Sequence, residues 1–294
     1  MMLLVNPVAG RTTSKTVLGT VVETFCLGGW HPTVYFTTGP RTASELTRRY
    51  APAFDRMVCL GGDGTLSDVI SGLMQLPPEA RPPLGYIPMG TANDVASTLD
   101  IPRGRPLEAA LDVLNGQQMP YDVGRINGGE YFTYVAAFGA FTEVSYSTDQ
   151  EMKNALGRAA YLMDGLTRLP KLKSYHTRIE YDSGVIEEDL LFGAVSNSTS
   201  VAGMIKLDKR VVALSDGKFE LLLVRPPKTL ADLRSIVNGL IYQDYTGTSM
   251  SIFQTSSARF TFDEPVPWTR DGENGGEHTK VEIENLKRAV DLIR

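Results

Sequence analysis

At 294 residues the chain is long for a single core and suits two domains of roughly 150 residues each. Hydrophobic residues make up 42% and charged residues 21%, an ordinary globular balance that excludes disordered, collagen-like and coiled-coil chains. With 29 basic against 34 acidic residues the formal net charge is −5, so the overall field gives no reason to expect a nucleic-acid partner.

The first 120 residues alternate strand-like and helix-like segments. Leu3–Val5 reads as a short buried strand; Met1–Val5 has no basic lead and breaks at Asn6-Pro7, unlike a signal peptide. Thr13–Leu27 has Val17, Val21 and Phe25 at the helical four-step. Thr33–Phe36 is a strand, Ala43–Tyr50 a helix and Arg56–Leu60 a strand. Leu66–Leu76 is a helix with Leu66, Val69, Ile70 and Leu73 on one face. Leu84–Ile87 is a strand, followed by helices over Asn93–Leu99 and Leu107–Leu114, the second closed by Asn115-Gly116. Near-continuous apolar strands alternating with helices predict a parallel sheet in an α/β domain.

After Tyr121 the pattern changes. Tyr131–Phe138, Tyr175–Tyr181, Val185–Ser196, Phe219–Val224, Met250–Gln254 and Ala258–Phe262 read as strands joined by turns such as Asn127-Gly128-Gly129. They predict a mainly antiparallel second domain with room for two inserted helices. Ile283–Ile293 is patterned as a helix, which either finishes the second domain or returns to the first. Cys26 and Cys59 lie in apolar stretches, which suits buried thiols in a reducing cytoplasm. His31, His176 and His278 are scattered without zinc spacing, and no run reaches the roughly 18 apolar residues of a membrane span.

In a parallel sheet the strand C-termini share one edge, where ligands bind. Three post-strand loops fall there, each leading into a helix: Asn6-Pro7-Val8-Ala9-Gly10, Gly61-Gly62-Asp63-Gly64-Thr65, and Pro88-Met89-Gly90-Thr91-Ala92-Asn93-Asp94. Exposed N–H groups at a helix start attract anions, and glycine lets backbone approach a phosphate. Asp63 conflicts with phosphate unless Mg²⁺ bridges the two. Taken singly, each loop also reads as turn, cap or strand-end chemistry; together they predict a nucleotide-phosphate site with a metal. The run Ala9–Thr16 ends like a Walker A loop but has Ala9 and Ser14 where glycines are required, and there is no Gly-x-Ser-x-Gly elbow.

Asn6-Pro-x-x-Gly10, Gly61-Gly-Asp-Gly-Thr-Leu66 and Gly90-Thr-Ala-Asn-Asp94, at these spacings, resemble the diacylglycerol kinase catalytic-domain family. Ser215-Asp216-Gly217 and Asp271-Gly272-Glu273 extend the resemblance over nearly the whole chain. The resemblance implies an ATP-binding α/β domain over 1–122, rejoined by 284–294, and a β-sandwich lipid domain over 123–283, with the site between them. It implies ATP contacts from Asn6, Pro7, Val8, Ala9, Gly10, Thr37, Gly61, Gly62, Asp63, Gly64, Thr65, Leu66, Ser67, Thr91, Asn93 and Asp94. It implies that Asp63 holds a catalytic Mg²⁺ through water, and that Asp216 with the carbonyls of Ala213 and Lys218 holds a structural one. Thr37 lies in a loop that matches the family only loosely, and the stretch between Val201 and Leu214 departs from it.

On sequence alone Asp271-Gly272 is a hairpin turn. In the family, the glutamate of this motif, here Glu273, is the proposed general base, a role a carboxylate held by a turn can fill. The implied reaction is transfer of the γ-phosphate of ATP to a lipid hydroxyl, with diacylglycerol as the leading acceptor. A kinase for a soluble acceptor such as NAD and a non-catalytic nucleotide or lipid regulator are the alternatives. Residues 151–178 carry six basic residues (Lys153, Arg158, Arg168, Lys171, Lys173, Arg178) against Glu151 and Asp164. Leu156, Ala159, Met163 and Leu166 add helical spacing, so the segment reads as either a transient peripheral membrane contact or core with a solvated face. A cytoplasmic protein that visits the membrane is the expected setting, and a homodimer is left open.

Overall fold

The computed structural model describes residues 1–10, 14–140, 173–201, 205–207, 212–243, 245 and 247–294. Four strands, β1 (Met2–Val5), β2 (Thr33–Phe36), β3 (Met57–Gly61) and β4 (Leu84–Pro88), pair in parallel in the order β2-β1-β3-β4. Every residue of β1, β3 and β4 is buried, as expected of strands covered on both faces. The chain steps from β1 to β2 on one side and then to β3 and β4 on the other. The C-terminal ends of β1 and β3 therefore flank a switch point, where α/β sheets open a ligand crevice.

Helices α1 (Ser14–Leu27), α2 (Thr42–Tyr50), α3 (Asp63–Met74), α4 (Asp94–Thr98) and α5 (Pro106–Asn115) connect these strands and lead on from β4. The apolar face read from the sequence of α3 is the buried one: Leu66, Val69, Ile70 and Leu73 all have no solvent exposure. Gly72 lets α2 close on α3, because a Cβ there would lie 2.6 Å from the Ser44 carbonyl oxygen. This position requires glycine for space rather than for backbone freedom.

The remaining strands are β5 (Gln118–Ile126), β6 (Glu130–Phe132), β7 (Val135–Gly139), β8 (Tyr175–Tyr181), β9 (Gly184–Leu190), β10 (Phe192–Ser196), β11 (Ser200–Val201), β12 (Ile205–Lys206), β13 (Phe219–Val224), β14 (Met250–Thr255), β15 (Ser257–Arg270) and β16 (Glu273–Ile293). They form an antiparallel, β-rich second unit, in the order β14-β13-β10-β7-β15-β16, with β9 and β8 branching from β15. Its core is aromatic. Phe138, Phe260 and Trp268 meet with ring centroids 5.0–5.8 Å apart, each ring fully or almost fully buried. The helix α6 (Leu230–Tyr242) begins with a reciprocal cap between Thr229 and Asp232.

Several expectations change. Ile283–Ile293 is strand, not helix: it is the end of β16, antiparallel to β5 and parallel to β4 through Leu292 and Ile293. Four steps of β16, from Leu286 to Val290, oppose two steps of β5, and Arg288 has a left-handed φ of 51°. That bulge shifts the alternation of buried residues, so a strand acquires helix-like spacing. Strand β5 has no counterpart among the segments the sequence marks as strands: Pro120, Asp122 and Gly124 interrupt its apolar residues. Tyr131–Phe138 and Val185–Ser196 are each broken in two, and α6 is the one helix among the described residues after β5. Cys59 is buried, but Cys26 is exposed near the end of α1, because its face of the helix looks outward. Residues 151–172 of the basic segment lie outside the described residues. Lys173 is engaged by Glu264 at 2.5 Å and lies over the Tyr175 ring. No described helix is long and apolar enough to cross a membrane.

Candidate active site

The three loops singled out by sequence meet at the C-terminal edge of the parallel sheet. After β1, the Asn6 side chain donates to Thr65 Oγ1 (2.9 Å) and accepts from the Val8 N–H (3.1 Å), tying that loop to the first turn of α3. Pro7, Ala9 and Gly10 complete this loop, and Val8 is 81% exposed at its tip. Thr37 sits at the adjacent strand end, its N–H bonded to the Val5 carbonyl. The loops after β3 and β4 come closest at glycine: a Cβ on Gly90 would lie 2.8 Å from the Gly62 Cα. Any side chain at either position would part them.

Thr91 is exposed on the β4–α4 loop. Asn93 is instead buried with a left-handed φ of 52°. It closes its own loop by donating to the Gly90 carbonyl (2.7 Å) and accepting from the Tyr86 hydroxyl (3.3 Å). The next N–H, of Asp94, donates to Asp63 Oδ2 at 3.1 Å. Asp63 Oδ1 is buried with no hydrogen-bond partner. Burial first, and then the charge of Asp94, push the Asp63 carboxyl up to about 7, against the pull of the backbone hydrogen bonds. A carboxylate oxygen stranded among phosphate-type loops fits a hard divalent cation, which takes one or two carboxylates and leaves its other positions to water and phosphate. Among the described residues there is no cluster of three or more His, Cys, Asp or Glu placed to hold a metal ion.

The hairpin joining β15 to β16 brings the opposing acids. Asp271 and Gly272 both have positive φ (48° and 80°), the backbone of a two-residue hairpin turn. Glu273 begins β16, and a Cβ on Gly64 would lie 3.0 Å from its Oε1. Glu273 is thereby placed over the first turn of α3, against Gly64, the residue after Asp63. Partial desolvation and the charge of Asp68 raise its carboxyl above the ordinary glutamate value, while Arg270 and Arg41 pull it back. Asp271 itself is buried and accepts from Ser67 Oγ (2.7 Å) and from the N–H groups of Thr133, Tyr134 and Val135 (2.6, 2.9 and 3.1 Å). Leu66 is core, so of the last two positions in the β3–α3 motif only Ser67 faces the cleft acids.

Ala213, Asp216 and Lys218 lie together at the turn before β13. Asp216 Oδ1 accepts the Lys218 N–H (2.9 Å), and the Gly217 N–H goes to the buried Asp122 (2.7 Å). Asp122 also accepts from the Arg288 N–H inside the β16 bulge (2.7 Å), so this turn is anchored to the returning strand. Sequence reasoning missed Asp271 as more than a turn residue, and missed Asp68, Arg41 and Tyr134 altogether. The Tyr134 hydroxyl, buried among Asp271, Asp94, Asp63 and Glu273, holds its proton well beyond the ordinary phenol range. No local motif marks these residues: Asp68 lies on α3 itself, Arg41 stands at the start of α2, and the pairing of β7 with β15 brings Tyr134 and Asp271 together.

Glycine-bearing loops thus close the strand ends of a parallel sheet, and the Asp271–Glu273 hairpin stands over the first turn of α3. The profile of the diacylglycerol kinase catalytic domain matches residues 1–126. The chain is 32% identical over 292 residues to the diacylglycerol kinase of Bacillus subtilis, covering 99% of this chain and 95% of that protein. It is 32% identical to that of Staphylococcus carnosus over 294 residues, covering 99% and 93%. A diacylglycerol kinase crystal structure from Bacillus anthracis superposes with a TM-score of 0.78 at 23% identity, covering 99% of this chain and 95% of that one. An NAD kinase from Archaeoglobus fulgidus in complex with ATP shares the fold alone, with a TM-score of 0.54 at 14% identity over 100% and 94% of the two chains. The chain belongs to the diacylglycerol kinase family and is a phosphotransferase with an alcohol group as acceptor.

Proposed function

We propose that this lipid kinase transfers the γ-phosphate of ATP to the free hydroxyl of diacylglycerol, giving phosphatidic acid, with Mg²⁺ required. The observation that carries the reading is the pairing of two carboxylates across one cleft: buried Asp63, with an unpartnered oxygen among glycine loops, and Glu273 over Gly64. An open cavity of about 580 Å³ lies beside the β4–α4 loop, lined by Gly90, Thr91 and Asn93 of that loop and by the segment from Ala96 to Arg105. Residues 1–122 with 284–294 would bind ATP, and 123–283 the lipid.

In this reading the loops Asn6–Gly10, Gly61–Ser67 and Thr91, with Thr37, cradle the nucleotide through main-chain N–H groups. Asp63 would hold Mg²⁺ through water; when bound, the metal neutralises charge on the transferring phosphoryl group. Glu273 takes the proton from the lipid hydroxyl, and its raised pKa makes it a better base near neutral pH than an ordinary glutamate. Ala213, Asp216 and Lys218 offer one carboxylate and two carbonyl oxygens, a donor set suited to a second, structural Mg²⁺.

The test is transfer of labelled γ-phosphate to diacylglycerol in mixed micelles, with NAD as a parallel acceptor. Labelled phosphatidic acid should form only with Mg²⁺. Asp63→Asn should lower turnover by about a hundredfold or more while its circular dichroism stays native. Label on NAD, or near-normal turnover in Asp63→Asn, would refute the assignment.

A further inference from the structure

Asp271 is built to be a carboxylate and nothing else. Its two oxygens face four donors, the Ser67 hydroxyl and three successive N–H groups at Thr133–Val135, and its side chain is almost fully buried. Oδ2 takes Ser67 and Thr133, while Oδ1 takes Tyr134 and Val135. An amide in the same place, turned either way, would set an NH₂ group against at least one backbone N–H. Its own N–H bonds the Val135 carbonyl, and its φ of 48° points the side chain inward from the turn. A non-glycine residue in that conformation costs about 1 kcal/mol, which these bonds offset.

The bonds join the two carriers of the reacting acids. Ser67 lies one helical turn after Asp63 on α3, and Asp271 lies two residues before Glu273 on the hairpin. We infer that Asp271 and Ser67 form a positioning clamp that fixes Glu273 over Gly64, and that the Ser67 hydroxyl serves this clamp rather than ATP. The inference rests on the reading of Glu273 as the base. Asp271 touches no substrate in this account; it acts through the hairpin. Misplacing a catalytic group by about 1 Å costs on the order of a hundredfold in rate, so a looser hairpin should be costly.

The experiment is steady-state kinetics of Ser67→Ala, Ser67→Thr, Asp271→Asn and the Ser67→Ala/Asp271→Asn pair, with ATP varied against diacylglycerol micelles. Ser67→Ala should lower kcat about tenfold with KM for ATP held within about twofold, and Ser67→Thr should recover most of the loss. The double variant should be no worse than Asp271→Asn, because both changes break one unit. In Asp271→Asn the acid limb of the kcat profile should move to lower pH, since a negative neighbour of Glu273 is gone. A raised KM for ATP with unchanged kcat in Ser67→Ala, or additive losses in the pair, would overturn the clamp. If Asp271→Asn melts early, the Ser67 variants decide alone. If the wild type transfers no phosphate, the kinase reading fails by itself. The clamp is then read from amide exchange at Tyr134 and Val135, which should be faster in Ser67→Ala and unchanged if there is no clamp.

Discussion

Glu273 and Glu220 are both glutamates with raised pKa, and they differ in what surrounds them. Glu273 sits over the first turn of α3, where burial and Asp68 raise its pKa while Arg270 and Arg41 favour its charged form. Its replacement by Gln should cut kcat at least about a hundredfold, remove the acid limb of the pH profile and leave ATP affinity almost unchanged. A fall confined to ATP affinity would deny it the role of base. Glu220 is buried in β13; Oε2 has no partner among the described residues and Oε1 accepts a long bond from Gln254 (3.4 Å). Burial pushes its carboxyl up to about 8. The folded state therefore binds more protons than the unfolded chain between the ordinary glutamate value and about 8. Stability falls as pH rises through that window, so Glu220→Gln should melt higher than the wild type at pH 8–9, by a few degrees or about 1–2 kcal/mol, with little difference at pH 4. Melting curves at the two pH values check this, and an equal difference at both would contradict it.

At the level of elements, what the sequence revealed followed the range of the forces involved. The strands β1, β3 and β4 and the α3 face were legible because apolar runs and the four-residue step are local signals. The loops were legible because glycine and Asp63 carry their chemistry in the chain itself. The β16 strand was not, because its bulge at Arg288 is set by Asp122 on a distant strand, and it turned strand spacing into helix-like spacing. Asp271 could be read only as a turn, because its four donors come from α3 and the segment entering β7. The same return of β16 has an energetic consequence. Leu292 and Ile293 are each 2% exposed, and Arg294 exchanges two main-chain bonds with Gln117. Burying two such side chains contributes about 3–6 kcal/mol, so deleting Leu292–Arg294 should lower Tm by at least about 5 °C. A truncated chain that melts with the full one would mean the strand end adds nothing to the first sheet.

Across the whole molecule, one continuous 14-stranded sheet carries both acids to a common cleft: Asp63 follows β3 in the parallel half, and Glu273 opens β16 in the antiparallel half. The strand that begins with Glu273 ends beside β4, so that carboxylate and the parallel sheet share one backbone. That geometry suits phosphoryl transfer, which depends on positioning and charge neutralisation more than on covalent chemistry. The claim beneath it is that Asp63 tolerates a triphosphate because a divalent cation lies between them. Calorimetric titration of ATP into the wild type with and without Mg²⁺ tests it most directly. Binding should be at least about tenfold tighter with the metal. Equal affinity in its presence and absence would contradict the account.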